Sequence, residues 1–213
     1  PGTLIRTEPM NATVPGGQAY RMLYVSALPD GTPAASGAMV FIPTTPAPDG
    51  GRKVVAWAHG TVGMGDACAP SRSTTGMNDM EGWLQQMMSL GWAVVATDYV
   101  GLGTPGPELY LVGQSEANDV VYSVEALRAM SQAQAGTDYV VFGHSQGGHS
   151  ALWTGALAKQ IAPDLHLLGI AAAAPATELA DIVDAQWDTA VGWAIGAEVA
   201  ISWPSVDPSL PLQ

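Results

Sequence analysis

Six consecutive residues carry the clearest chemistry in this sequence: Gly143-His144-Ser145-Gln146-Gly147-Gly148. A serine hydroxyl becomes a nucleophile when a base takes its proton, and it then attacks carbonyl carbon. The G-x-S-x-G spacing supports that role only at a sharp strand-to-helix corner, where small residues two before and two after the serine avoid a clash. Gly143 and Gly147 supply those small positions. The apolar run Tyr139-Val140-Val141-Phe142 precedes the motif, and Ser150 to Ile161 follows with helical composition. That context predicts a nucleophile elbow at Ser145, rather than a Gly-rich turn with an incidental serine. The corner would aim the backbone N–H of Gln146, and the positive end of the following helix, at a developing oxyanion. A second oxyanion donor is expected from the loop His59-Gly60-Thr61, at Gly60 or Thr61.

A base and an acid are harder to place. The four histidines are His59, His144, His149 and His166. His144 adjoins Ser145 and should point away from it. His149 lies one helical turn on, facing a packing surface. His166 opens a strand at the wrong end of the sheet, and His59 belongs to the oxyanion loop. None is a convincing general base, which must reach the serine hydroxyl. Glu178 or Asp181 stands where an acid could reach the site, yet no histidine follows them to use it.

The elements that must position these groups can be read from apolar runs. Gln18 to Leu28 and Gly37 to Pro43 read as an antiparallel hairpin around the turn Pro29-Asp30-Gly31-Thr32-Pro33. Lys53 to Ala58, Trp92 to Thr97, Tyr139 to Phe142 and Leu165 to Ala174 read as strands; the first is a continuous apolar run of the kind buried on both faces. Met80, Trp83, Leu84, Met87 and Met88 predict a helix ended by Gly91. A second helix starts with Ser115 as its N-cap, with Ala117, Val120, Val121, Val124, Leu127 and Met130 as its apolar face. Strands alternating with helices predict a mostly parallel α/β sheet with flanking helices. In such sheets the site lies at the carboxyl ends of the strands, where His59-Gly60-Thr61, Asp98 and Ser145 all fall. Asp98 reads as a structural acid tying down its loop. Its Gly101-Leu102-Gly103 is weak as a nucleotide signal, because no phosphate-loop lysine follows.

After Pro175 the composition shifts to Ala, Val, Ile and Trp. Residues 1–175 are therefore expected to form the core and 176–213 the beginning of a helical cap or lid. Trp187, Trp193 and Trp203 would line an acyl pocket or pack the cap onto the core. Pro204, Pro208 and Pro211 should stop any further helix.

Composition narrows the partners. The chain has 213 residues, 47% apolar and 12% charged, enough for one domain with a sizeable core. A net charge of −12 repels phosphate backbones, so nucleic acid is not expected as a partner. The longest apolar stretch, Ala190 to Trp203, is interrupted by Glu198 and is too short to span a bilayer. The acidity suits a secreted, extracellular protein. Pro1 is not an initiator methionine, so processing is expected ahead of it. The single cysteine, Cys68, reads equally as a small buried hydrophobe or as half of a disulfide whose partner lies elsewhere.

Several stretches together resemble one family. They are Val54-Val55-Ala56-Trp57-Ala58-His59-Gly60-Thr61, Cys68-Ala69-Pro70-Ser71, Ala96-Thr97-Asp98-Tyr99-Val100-Gly101-Leu102-Gly103-Thr104-Pro105-Gly106, Tyr110-Leu111-Val112-Gly113 and the serine motif itself. The chain resembles the secreted lipases and esterases typified by Candida antarctica lipase A, from about residue 20 to 175. The resemblance implies an α/β-hydrolase fold, hydrolysis of small-molecule or lipid esters, and neither cofactor nor metal. It implies Ser145 as nucleophile, Gln146 with Gly60 or Thr61 as oxyanion hole, and a disulfide-bonded Cys68. Family members continue past residue 213 through further strands that carry the acid and the histidine. These C-terminal strands, absent here, are expected on a further segment, such as a second chain. The alternatives are a non-enzymatic hydrolase-fold module with an inert elbow, and an acyltransferase that uses the same acyl-enzyme.

Overall fold

The structure, a computed structural model, describes residues 1–210; the expectation at Pro211 lies outside the described residues. One seven-stranded sheet runs through the molecule in the order β1-β2-β3-β5-β4-β6-β7. The strands are β1 (Leu4–Pro9), β2 (Gly17–Ala27), β3 (Pro33–Pro43), β4 (Arg52–Ala58), β5 (Ala93–Thr97), β6 (Ala135–His144) and β7 (His166–Ala173). β1, β2 and β3 form an antiparallel meander, and β3 pairs antiparallel with β5. β5, β4, β6 and β7 are mutually parallel. This is the mostly parallel sheet with flanking helices that the alternation of elements predicts.

The register aligns the carboxyl ends. Ala58 of β4 stands opposite both Thr97 of β5 and Gly143 of β6, and His144 stands opposite Ala173 of β7. The loops beginning at His59, Asp98, Ser145 and Ala174 therefore leave the sheet side by side. Alternation along β4 feeds two cores: Val54, Ala56 and Ala58 face one side, Val55 and Trp57 the other. Helices α2 (Gly113–Arg128) and α3 (Gln146–Ile161) cover the first side, with Val120, Val121, Val124, Leu127 and Ala151 buried there. The second side is closed by Met80, Leu84 and Met88 and by a cluster of Trp57, Trp83 and Phe142 rings.

Three local readings differ from the sequence expectation. β1 has no period-two apolar pattern to mark it, because it is an exposed edge strand. The expected helix through Met80 and Met88 is split into a 3₁₀ segment, Thr75–Met80, and a short helix α1, Leu84–Ser89. Gly91 at φ 77° ends it, as expected. Ser115 is not an N-cap: α2 begins at Gly113, and Ser115 is buried inside its first turn.

Beyond β7 lie α4 (Leu179–Gln186), α5 (Ala190–Ser202) and a 3₁₀ turn at Trp203–Ser205 that contains Pro204. The end of α5 is fastened to the core: the Tyr110 N–H donates to Ser202 Oγ (3.1 Å) and the Trp203 indole N–H to the Tyr110 carbonyl (3.2 Å). Trp203 thus packs against the core, whereas Trp187 and Trp193 pair with each other at 5.3 Å and stay 55% and 62% exposed. Among the described residues no helix is long and apolar enough to cross a membrane.

Candidate active site

Ser145 sits at the corner between β6 and α3 with φ 57° and ψ −118°. A non-glycine residue rarely adopts such a backbone, and it costs of order 1–3 kcal/mol unless the surroundings impose it. The surroundings here do. The Ser145 N–H donates to the Ala173 carbonyl at 2.9 Å, and its carbonyl receives the His149 N–H at 3.1 Å. A Cβ on Gly143 would lie 2.0 Å from the Gly147 carbonyl oxygen, and one on Gly147 would lie 1.8 Å from the Ala58 carbonyl oxygen. Both positions therefore require glycine. The corner presses directly on the end of β4, and the side chain of Ser145 remains partly exposed.

The loop after β4 passes beside the serine. A Cβ built on Gly60 would lie 3.6 Å from the Ser145 Cβ and 3.3 Å from the His144 carbonyl oxygen. The structure thus brings Gly60 next to Ser145, with Gln146 immediately after it at the start of α3, where the first N–H groups have no intrahelical acceptor. Thr61 is exposed, and its hydroxyl lies 2.7 Å from the Tyr110 hydroxyl.

The histidines are engaged elsewhere. The two ring nitrogens of His59 face the carbonyls of Gly60 (2.6 Å) and Asp98 (3.3 Å), while its own carbonyl receives the Tyr99 hydroxyl (3.1 Å). His149 is buried, its Nδ1 2.7 Å from Glu116. His144 is exposed, and His166 is exposed 3.3 Å from Asp138. Glu178 and Asp181 are exposed as well. Among the described residues, none of these groups hydrogen-bonds the Ser145 hydroxyl.

Asp98 plays the structural part expected of it. The Ser71 N–H donates to Asp98 Oδ1 at 2.8 Å and the Ser71 hydroxyl to Oδ2. Burial raises the Asp98 carboxyl above the usual range, and the Ser71 hydrogen bonds oppose that shift. Cys68, partly buried, is the only cysteine and holds a free thiol among the described residues.

Sequence reasoning passes over Glu116, the carboxylate that supports this region from below. It is 1% exposed on the first turn of α2. It accepts the Leu111 N–H (3.2 Å) and the Gln146 side-chain amide (2.9 Å) on one oxygen, and faces His149 Nδ1 (2.7 Å) with the other. The only signal was its place beside the apolar face of that helix.

Residues 69–200 match the family model described as secretory lipase. Lipase A of Moesziomyces aphidis is 28% identical over 112 residues, which cover 48% of this chain and 23% of that protein. The rice cell wall degrading esterase LipA of Xanthomonas oryzae superposes with a TM-score of 0.80 at 21% identity, covering 100% of this chain and 62% of that one. Candida antarctica lipase A gives a TM-score of 0.78 at 18% identity, covering 98% of this chain and 51% of that one. The chain thus spans less than two thirds of the length of each of these proteins. The superpositions show an α/β-hydrolase fold, and the chain belongs to the secretory lipase family.

Proposed function

We propose that this chain carries the nucleophile and oxyanion hole of a secreted serine carboxylic-ester hydrolase acting on small-molecule or lipid esters. The observation that carries the reading is the backbone of Ser145, held at φ 57° at a strand–helix corner with Gly60 beside it. Ser145 Oγ attacks the ester carbonyl carbon and its proton passes to a general base. The oxyanion that forms is met by the N–H groups of Gln146 and of Gly60 or Thr61. Collapse of this intermediate breaks the bond to the alcohol oxygen, which leaves with the proton from the base. Water then attacks the acyl-enzyme by the same route and frees the acid.

The base and its orienting acid lie on a segment of the protein outside residues 1–213. What supports this reading is the engagement of His59 and His149 with other groups. Residues 1–175 serve as the core and 176–213 as the beginning of a helical cap or lid. Cys68 is bridged to a cysteine of the further segment.

The second reading, a binding module with an inert elbow, is favoured by the free Ser145 hydroxyl alone. A fluorophosphonate separates the two in the full-length protein. Stoichiometric labelling, lost in Ser145→Ala together with at least about 10³-fold of p-nitrophenyl ester turnover, supports the hydrolase. Absence of labelling leaves the inert module, and alkyl ester formed with a competing alcohol would mark an acyltransferase.

A further inference from the structure

The hydrolytic steps above make no use of Glu116, yet few side chains in the molecule are so completely enclosed and so fully bonded. We propose that Glu116 is the positioning residue of the oxyanion hole, holding the first turn of α3 and the loop after β4 in place through a single carboxylate. The inference rests on the reading of Ser145, Gln146 and Gly60 or Thr61 given above.

On one side Glu116 grips α3. Gln146 and His149 are three residues apart and so lie on one face of the helix. The Gln146 amide donates to Oε1 at 2.9 Å, and His149 Nδ1 meets Oε2 at 2.7 Å. Two anchors on successive points of one face fix both the rotation and the axial position of the first turn. The backbone N–H of Gln146 belongs to that turn, so its aim is fixed with it. On the other side Oε1 accepts the N–H of Leu111, a non-glycine residue at φ 53°. The preceding residue, Tyr110, reaches with its hydroxyl to Thr61 Oγ1 at 2.7 Å. The loop bearing Gly60 and Thr61 is thereby tied, through Tyr110 and Leu111, to the same oxygen that holds Gln146. A carboxylate suits this junction because it only accepts, and every group facing it can donate.

Oxyanion donors act through placement, and a misplacement of about 1 Å can cost on the order of 10²-fold in rate. Glu116→Gln keeps the shape but turns an NH₂ towards donors. In the full-length protein, kcat for a p-nitrophenyl ester is expected to fall about 10- to 100-fold with KM within about twofold. The affinity for an alkylboronic acid, which forms a tetrahedral adduct on the serine, should fall by the same factor. A carboxylate that merely fills the core would lower the fraction of folded enzyme and leave boronate affinity per active site unchanged. That result, or a change in KM alone, overturns the inference.

Gln146→Met is the second variant, since it removes only the amide end of the bond and spares the backbone N–H. It is expected to lose about 5- to 10-fold in kcat, and wild-type kcat in it also overturns the inference. Ser145→Ala separates the two levels. If it stays active, the nucleophile reading and this inference fall together. If it is dead while Glu116→Gln matches wild type, this inference alone falls.

Discussion

The charge of Glu198, on α5, acts on Glu108, on the loop after β5, at the seam between that helix and the core. Each buries one carboxylate oxygen, Oε2, with no hydrogen-bond partner among the described residues. Burial pushes the Glu108 carboxyl up to about 7, and the charge of Glu198 adds to the shift; burial raises Glu198 too. Asp66, Arg72 and Ile201 line the cavity that Glu108 borders.

The sign of the pH dependence follows. A carboxyl whose folded pKa exceeds its unfolded value ionises at a cost in the folded state. The attachment of α5 should therefore be firm below about pH 4.5, the ordinary value, and weaken as pH rises towards 7. Amide exchange over Ala190–Ser202, corrected for intrinsic rates, should show less protection at pH 8 than at pH 5. Glu108→Gln should flatten that difference, and an unchanged difference would remove Glu108 from the seam.

The glycine at 147 admits a direct stability test. Because a Cβ would lie 1.8 Å from the Ala58 carbonyl oxygen, Gly147→Ala must push α3 away from β4. A loss of about 3 kcal/mol or more is expected. Gly169→Ala, where nothing lies within 4 Å of the added carbon, should stay within about 0.5 kcal/mol of wild type. Thermal melts of the two variants compare them, and equal melting temperatures would contradict the close approach.

The sheet and the corner were legible for a common reason. β4 and β5 are buried runs whose apolar character follows from being covered on both faces, β6 alternates buried Tyr139 and Val141 with half-buried Val140 and Phe142, and Gly143 and Gly147 mark a backbone approach that admits no side chain. β1 was not legible because an exposed edge strand has no face to declare. Glu116 was not legible because two of its partners, Gln146 and His149, lie 30 and 33 residues away and are brought to it by tertiary packing of α2 on α3. Local periodicity places Glu116 at the border of an apolar stripe and says nothing of what it meets there.

Cys68 lies beside Gly63, whose added Cβ would come 3.1 Å from its sulfur. We expect thiol titration of the unfolded, unreduced full-length protein to find no free thiol at Cys68, with a mass change on reduction. One free thiol per chain would exclude the bridge.

Residues 1–213 expressed alone are expected to leave a fluorophosphonate unreacted, since none of their histidines within residues 1–210 hydrogen-bonds Ser145. They should also be poorly soluble, because β7 ends the sheet with Leu168 and Ile170 53% and 40% exposed. Co-expression with the segment proposed to carry the base and acid should restore both properties. Rapid labelling of the isolated chain would point to His59 as the base.

The backbone of Ser145 also sets a conflict between durability and catalysis. At φ 57° and ψ −118° a glycine would sit with less strain than any other residue. A screen that rewards heat resistance alone would therefore favour Ser145→Gly and discard the proposed nucleophile, while a screen for turnover would hold the strain in place. Directed evolution of this chain for industrial robustness must couple the two selections at this one position.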